Sequence, residues 1–159
     1  MALAKHRDGP GEAIPKEKIA QEALEEARIV LPGMQTLFGF QLMATFTERF
    51  NQIAGSAQTL HYTALMLVAL AIVLIMTPVA YHRMVERRTV TQWFIKLASF
   101  LIAAAMLPLM LALALEVYIV GQLILGSPLA SVAAAGLFAL TGVLWFAFPL
   151  SVRLWRKSS

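Results

Sequence analysis

The stretch LHYTALMLVALAIVLIMTPVA, Leu60 to Ala80, contains no Asp, Glu, Lys or Arg. About 20 predominantly apolar residues carry a helix across about 30 Å of hydrocarbon, so this stretch alone points to a chain built for a bilayer. Two further runs extend the pattern. LASFLIAAAMLPLMLALAL, Leu97 to Leu115, is charge-free, is interrupted by Glu116 and resumes as VYIVGQLIL to Leu125; LASVAAAGLFALTGVLWFAFPL, Leu129 to Leu150, is closed by Pro149 and the basic RLWRK. The earlier stretch VLPGMQTLFGFQLMATFTERF, Val30 to Phe50, is less uniform, because Pro32, Gln35 and Gln41 offset much of the favourable insertion energy of its Leu, Val and Phe residues.

The expected fold class is therefore an all-α membrane protein with four transmembrane helices, near 30–49, 60–81, 95–125 and 129–151, preceded by an N-terminal amphipathic helix. Composition agrees: 59% of the 159 residues are hydrophobic and 14% charged, a balance far from that of an ordinary soluble domain. Cysteine is missing, which excludes disulfides, thiolate catalysis and thiolate-held zinc or iron–sulfur sites.

Upstream of the apolar runs, residues 1–14 mix glycine, proline and charge without periodicity and read as a flexible tail. From Pro15 the apolar Ile19, Ala20, Ala23, Leu24 and Ala27 recur at helical spacing against Lys16, Lys18, Glu22, Glu25 and Glu26, so 15–28 reads as an amphipathic helix on the cytoplasmic surface. The membrane domain follows at 29–152 and a basic cytoplasmic tail at 153–159. Pro32 and Gly33 mark the expected turn from the surface helix into the membrane. No continuous apolar core typical of a cleavable signal peptide precedes Arg28.

Basic residues set the orientation. Of the 13 Lys and Arg, all but Arg49 fall on flanks that four crossings place on one side, and such an excess marks the cytoplasmic face. Both termini are then cytoplasmic, with the bacterial inner membrane as the expected location. The net charge of +4 follows from that topology and implies contact with anionic lipid headgroups, not with nucleic acid, for which no aromatic-and-basic groove pattern exists. Trp93, Tyr81 and Trp155 suit an inner aromatic belt, and Tyr62 and Phe50 an outer one.

Few residues can carry chemistry. Glu116 is the only acidic residue inside an apolar run, and an ionised carboxylate at the bilayer centre costs about 2.5 kcal/mol or more, which makes it a functional candidate or an internally hydrogen-bonded group. If the turn at Gly126 marks the outer surface, Glu116 lies about 13 Å beneath it; if the core begins at Leu97, it reaches the outer headgroups. Glu48 and Arg49 close the first helix, and Arg49 could reach Glu116. Arg28, Gln35, Leu42 and Arg49 recur every seventh position as a narrow polar line expected to face the bundle, with Gln41 pointing elsewhere. His82 and Arg83 stand at the cytoplasmic boundary, and His61 is alone at the other. The small residues Ala103–Ala105, and Ala133–Gly136 with Gly142, are expected to bring helices three and four together. No HExxH, GxSxG, phosphate loop or metal-ligand spacing is present, so neither an enzyme nor a cofactor or metal is expected.

The combination EEARIVLPGMQTLFGFQLMATFTERF followed by YTALMLVALAIVLIMTPVAYHR resembles a family of small bacterial integral membrane proteins, domain of unknown function 6328. The likeness runs from Glu22 to the end of helix three, on Gly33, Gln35, Phe38, Phe40, Phe50, Pro78, His82 and Arg83. It implies a multi-helix inner-membrane protein without an established activity, and assigns no residue a role.

The functional expectation is a small non-enzymatic membrane protein acting by assembly, as a homo-oligomer or with a membrane partner protein. The alternative is a proton- or cation-translocating transporter or channel, with Glu116, Gln35, Glu48 and Arg49 as ion-pathway candidates.

Overall fold

The structure, a computed structural model, describes residues 15–85 and 90–158; the expected 1–14 tail and the basic Lys5, Arg7, Arg87 and Arg88 lie outside the described residues. The chain is all-helical: α1 (Lys16–Thr45), a 3₁₀ turn (Glu48–Gln52), α2 (Gly55–Met84), α3 (Gln92–Leu125), then α4 (Ser127–Gly142), which passes through a π-helical turn (Val143–Ala147) into α5 (Phe148–Ser158). The last three form one rod, so the described residues form four rods.

Three of these rods, not four, are long and apolar enough by themselves to cross a membrane: Gly55–Met84, Gln92–Leu125 and Ser127–Arg156. The chain is thereby a multi-pass membrane protein. The first expected span falls short for a reason visible in its residues. Charged groups fill the opening turns of α1, and Gly33, Gln35, Thr36, Gly39 and Gln41 dilute the apolar ones that follow.

A second expectation fails at Pro32. The turn anticipated at Pro32–Gly33, between a surface helix and a membrane helix, is not formed; α1 runs without interruption from Lys16 to Thr45. Proline removes one helical hydrogen bond, a loss that packing can offset in a membrane bundle. Ala27, Leu31 and Met34, on both sides of Pro32, are buried against Ala71, Ile75 and Ala105. The helix also stops earlier than the expected 49, because Glu48 and Arg49 belong to the 3₁₀ turn. At the other end Pro149 does not terminate the fourth rod, which continues through it to Ser158.

The packing follows a repeat of alternating three- and four-residue steps, the mark of left-handed helix packing. On α1 the seam is Ala20, Leu24, Ala27, Leu31, Met34, Phe38 and Gln41, all buried or half-buried. On α2 it is His61, Ala64, Val68, Ala71, Ile75, Pro78 and His82. Three clusters record how the helices pass one another: Ala20 meets Phe94 and Ala98, Leu31 meets Ile75 and Ala105, and Phe38 packs on Val68 and Ala112. Thus α1 and α3 run in the same direction, with α2 antiparallel between them.

The polar line Arg28, Gln35, Leu42 and Arg49 is exposed, so it is not the buried face of α1. Small residues do bring α3 and α4 together, at the expected Gly142, where an added Cβ would lie 3.9 Å from the Met110 Sδ, and also at a place not expected. A Cβ added to Gly121 would lie 3.0 Å from the Ala130 Cβ, whereas Ala133, Ala135 and Gly136 face outward. Gly126, with φ of 82°, makes the turn between these helices, a conformation that other residues adopt only with strain. Thr91 caps α3 at its start by accepting from the Phe94 N–H at 3.2 Å.

Candidate functional site

The α1 seam ends on a glutamine, the α2 seam begins on a histidine, and α3 carries its interrupting glutamate at the same level. These residues meet. The Gln41 Nε2 amide donates to Glu116 Oε1 at 2.8 Å, His61 Nδ1 stands 3.0 Å from the same oxygen, and His61 Nε2 lies 2.9 Å from the Gln41 main-chain carbonyl oxygen. Gln41 and His61 are each 4% exposed, and the Glu116 side chain 19%. Phe50, from the 3₁₀ turn, sets its ring edge-on to the imidazole with centroids 5.2 Å apart.

The contacts fix the proton inventory. A carbonyl oxygen can only accept, so His61 Nε2 carries a hydrogen and donates it to Gln41. A hydrogen bond across the 3.0 Å between Nδ1 and Oε1 would then need one proton. Either a neutral Glu116 donates to the Nδ1 lone pair, or an imidazolium donates to the carboxylate; both arrangements have no net charge. Without that proton two acceptors would face each other, and with a second one the cluster would be cationic. Gln41 Oε1 is buried and has no hydrogen-bond partner.

A cavity of about 160 Å³ opens beside Glu116 and His61, lined also by Thr47, Arg49, Phe50 and Ile119. Arg49 is thus brought to the cavity that contains Glu116, yet the carboxylate itself is bonded by Gln41 and His61. Glu48 is exposed in the 3₁₀ turn. Gln35 does not approach Glu116; it lines a separate groove with Arg28, His82 and Arg83 toward the opposite end of α2. Among the described residues no group of three or more His, Cys, Asp or Glu could hold a metal.

His61 is therefore not solitary, as its position near the end of an apolar run suggested. The signal that could have found it is the three-four seam, which contains His61 on α2 and Gln41 on α1. The partnership with Glu116, 75 residues from Gln41, is a product of the tertiary fold.

Helical rods with apolar lengths sufficient for several crossings, closed around a partly buried ionisable pair, define the class as an α-helical multi-pass membrane protein. Within that class the chain belongs to the family of unknown function DUF6328, whose model matches residues 16–149. No curated protein and no solved structure matches the chain.

Proposed function

We propose that this is a small proton-translocating membrane protein, without enzymatic activity or cofactor, whose Gln41–His61–Glu116 cluster takes up and releases the transported proton. One observation carries the reading: three separate helices each deliver one polar group to a single contact, with Nδ1 of His61 and Nε2 of Gln41 at 3.0 and 2.8 Å from the same Glu116 oxygen. Stability is a poor explanation for such a cluster, since well-packed apolar residues commonly serve as well as a buried ion pair, and intramembrane ionisable groups mark ion pathways. Depth supports the reading too. Glu116 lies about 13 Å along α3 from Leu125, and His61 about 9 Å along α2 from Gly55; in this reading those helix ends mark the outer surface and both groups lie beneath it.

In this reading α1 crosses as a fourth span sheltered by α2 and α3. Its outward face supports that placement, with Ile29 78%, Phe40 67% and Met43 66% exposed in a form that lipid would cover. Both termini then face the cytoplasm of a bacterium, where the basic flanks meet anionic headgroups.

The test is proton flux into proteoliposomes under an imposed potential, read by an enclosed pH dye. Glu116→Gln is expected to lower flux to that of empty vesicles and Gln35→Ala to leave it unchanged; wild-type flux in Glu116→Gln would overturn the role of the carboxylate.

A second reading, action through assembly, rests on the outward face of α4, where Ala133, Ala135, Gly136 and Ala139 are exposed. Four rods leave little room for a private path, so an oligomer or a membrane partner protein would complement transport. The chain has no native cysteine, so Ala135→Cys gives a clean crosslinking probe; a disulfide-linked dimer in membranes is expected, and exclusively monomeric protein would remove this reading.

A further inference from the structure

Two cavities meet at the 3₁₀ turn Glu48–Gln52. One, of about 160 Å³, reaches Glu116 and His61; the other, of about 580 Å³, reaches Gln52, Ala57 and Gln122. Arg49, Ile53, Ile119 and Leu123 line both, so the two spaces adjoin. We infer that this turn is the outer gate of the cluster: Phe50 closes the passage to His61 and Glu116, the Gln58 amide latches it, and water reaches the cluster from the outer side when the turn lifts. The inference rests on the proton reading for the use of the gate, and adds the side of the membrane from which the proton enters or leaves.

The turn is held at two points. No residue of it is buried, and Phe50 alone is half-buried, with its ring edge-on to the imidazole of His61 at a centroid distance of 5.2 Å. Segments with few buried apolar contacts open before the helices that flank them. The second hold comes from α2, where Gln58 Nε2 donates to the Phe50 main-chain oxygen at 3.0 Å and stands 3.5 Å from that of Ile53. One neutral amide thus ties the ring-bearing residue and the exit of the turn, and a neutral hydrogen bond contributes little net stability. The latch can release while α1 and α2 stay folded.

The opposite direction is closed. One turn deeper than Gln41, His61 and Glu116, the side chains of Phe38, Leu115, Ala64 and Ala112 pack together with Val68 in a single apolar cluster. Water needs room and polar partners, and the outer cavity supplies both, with Gln52 and Gln122 in its wall.

The chain has no native cysteine, so Ile119→Cys, on the buried wall common to both cavities, reports on the gate. The full chain in right-side-out and in inverted membrane vesicles is exposed to a charged, membrane-impermeant thiosulfonate, and the labelling rate is read by mass. Labelling is expected from the outer side alone. It should be about tenfold faster in Phe50→Ala, which removes the ring from His61, and about fivefold faster in Gln58→Leu, which removes the latch. Phe50→Trp, which keeps a ring on His61, should label no faster than the parent, and Tyr62→Ala, on the exposed face of α2, should change nothing. Leu123→Cys, at the exposed rim of both cavities, should react at one rate in every background. A parental rate in Phe50→Ala overturns the gate, as does faster labelling from the cytoplasmic side, and a parental rate in Gln58→Leu overturns the latch; should Phe50→Ala not fold, Gln58→Leu decides alone. Labelling requires no transport. In proteoliposomes Phe50→Ala should raise proton flux, and labelling that opens without any flux removes the proton reading while the gate stands.

Discussion

His61 and His82 occupy the same seam of α2, about 31 Å apart, in opposite conditions. The first has both ring nitrogens engaged, Nε2 on the Gln41 carbonyl and Nδ1 on Glu116. The second has its Nδ1 buried and unpartnered beside a groove with two arginines. At one end of the bundle the histidine is enclosed in a polar cluster, and at the other it stands beside an open groove. The difference teaches that position on a packed seam does not decide what a histidine does; the helix that crosses it does. At the His61 level α3 presents Glu116, while at the His82 level it presents Phe94.

The comparison can be broken most severely at Glu116. Glu116→Ala leaves the Gln41 amide and His61 Nδ1 without their shared acceptor, and is expected to cost about 3 kcal/mol, the range for removing one member of a buried pair. Denaturant unfolding in mixed micelles measures it, and a loss under about 1 kcal/mol would mean that solvent already satisfies the cluster. Next in size is the coupling within it. A double-mutant cycle on His61→Ala and Glu116→Ala should give an interaction of about 2 kcal/mol, whereas Arg49→Ala and Glu116→Ala should be additive within about 0.3 kcal/mol, because Arg49 borders the cavity without bonding the carboxylate. Equal coupling in the two cycles would move Arg49 into the cluster. The smallest effect is expected at the other end. His82→Leu removes an unpartnered polar atom and keeps an apolar body against Phe94, so stability should change by less than about 0.5 kcal/mol; a large loss would show that His82 has an obligatory partner.

The sequence made the apolar rods legible because charge-free runs of that length have few uses outside a bilayer. Glu116 stood out for the same reason, as the lone acid in such a run. What it touches was not legible: Gln41, His61 and Glu116 come from three helices, and only the relative sliding of those helices sets their common level. On α1 the misreading was local. Arg28, Gln35, Leu42 and Arg49 repeat every seventh residue and drew the polar line to the bundle's interior, yet the seam is set by where Ala20, Ala27, Leu31 and Met34 bury their side chains. Pro32 and Gly33 form a strong local signal for a turn, and burial against α2 and α3 overrode it.

The π turn at Val143–Ala147 has a consequence for the last rod. Each backbone bond there reaches one residue farther than in an α-helix, which offsets the following residues by about 100° around the axis. The surface that α4 presses on α3 is thereby released from the direction in which α5 points Arg153 and Arg156. One inserted step lets the fit of a buried interface and the aim of a charged end be set separately, along a single continuous rod.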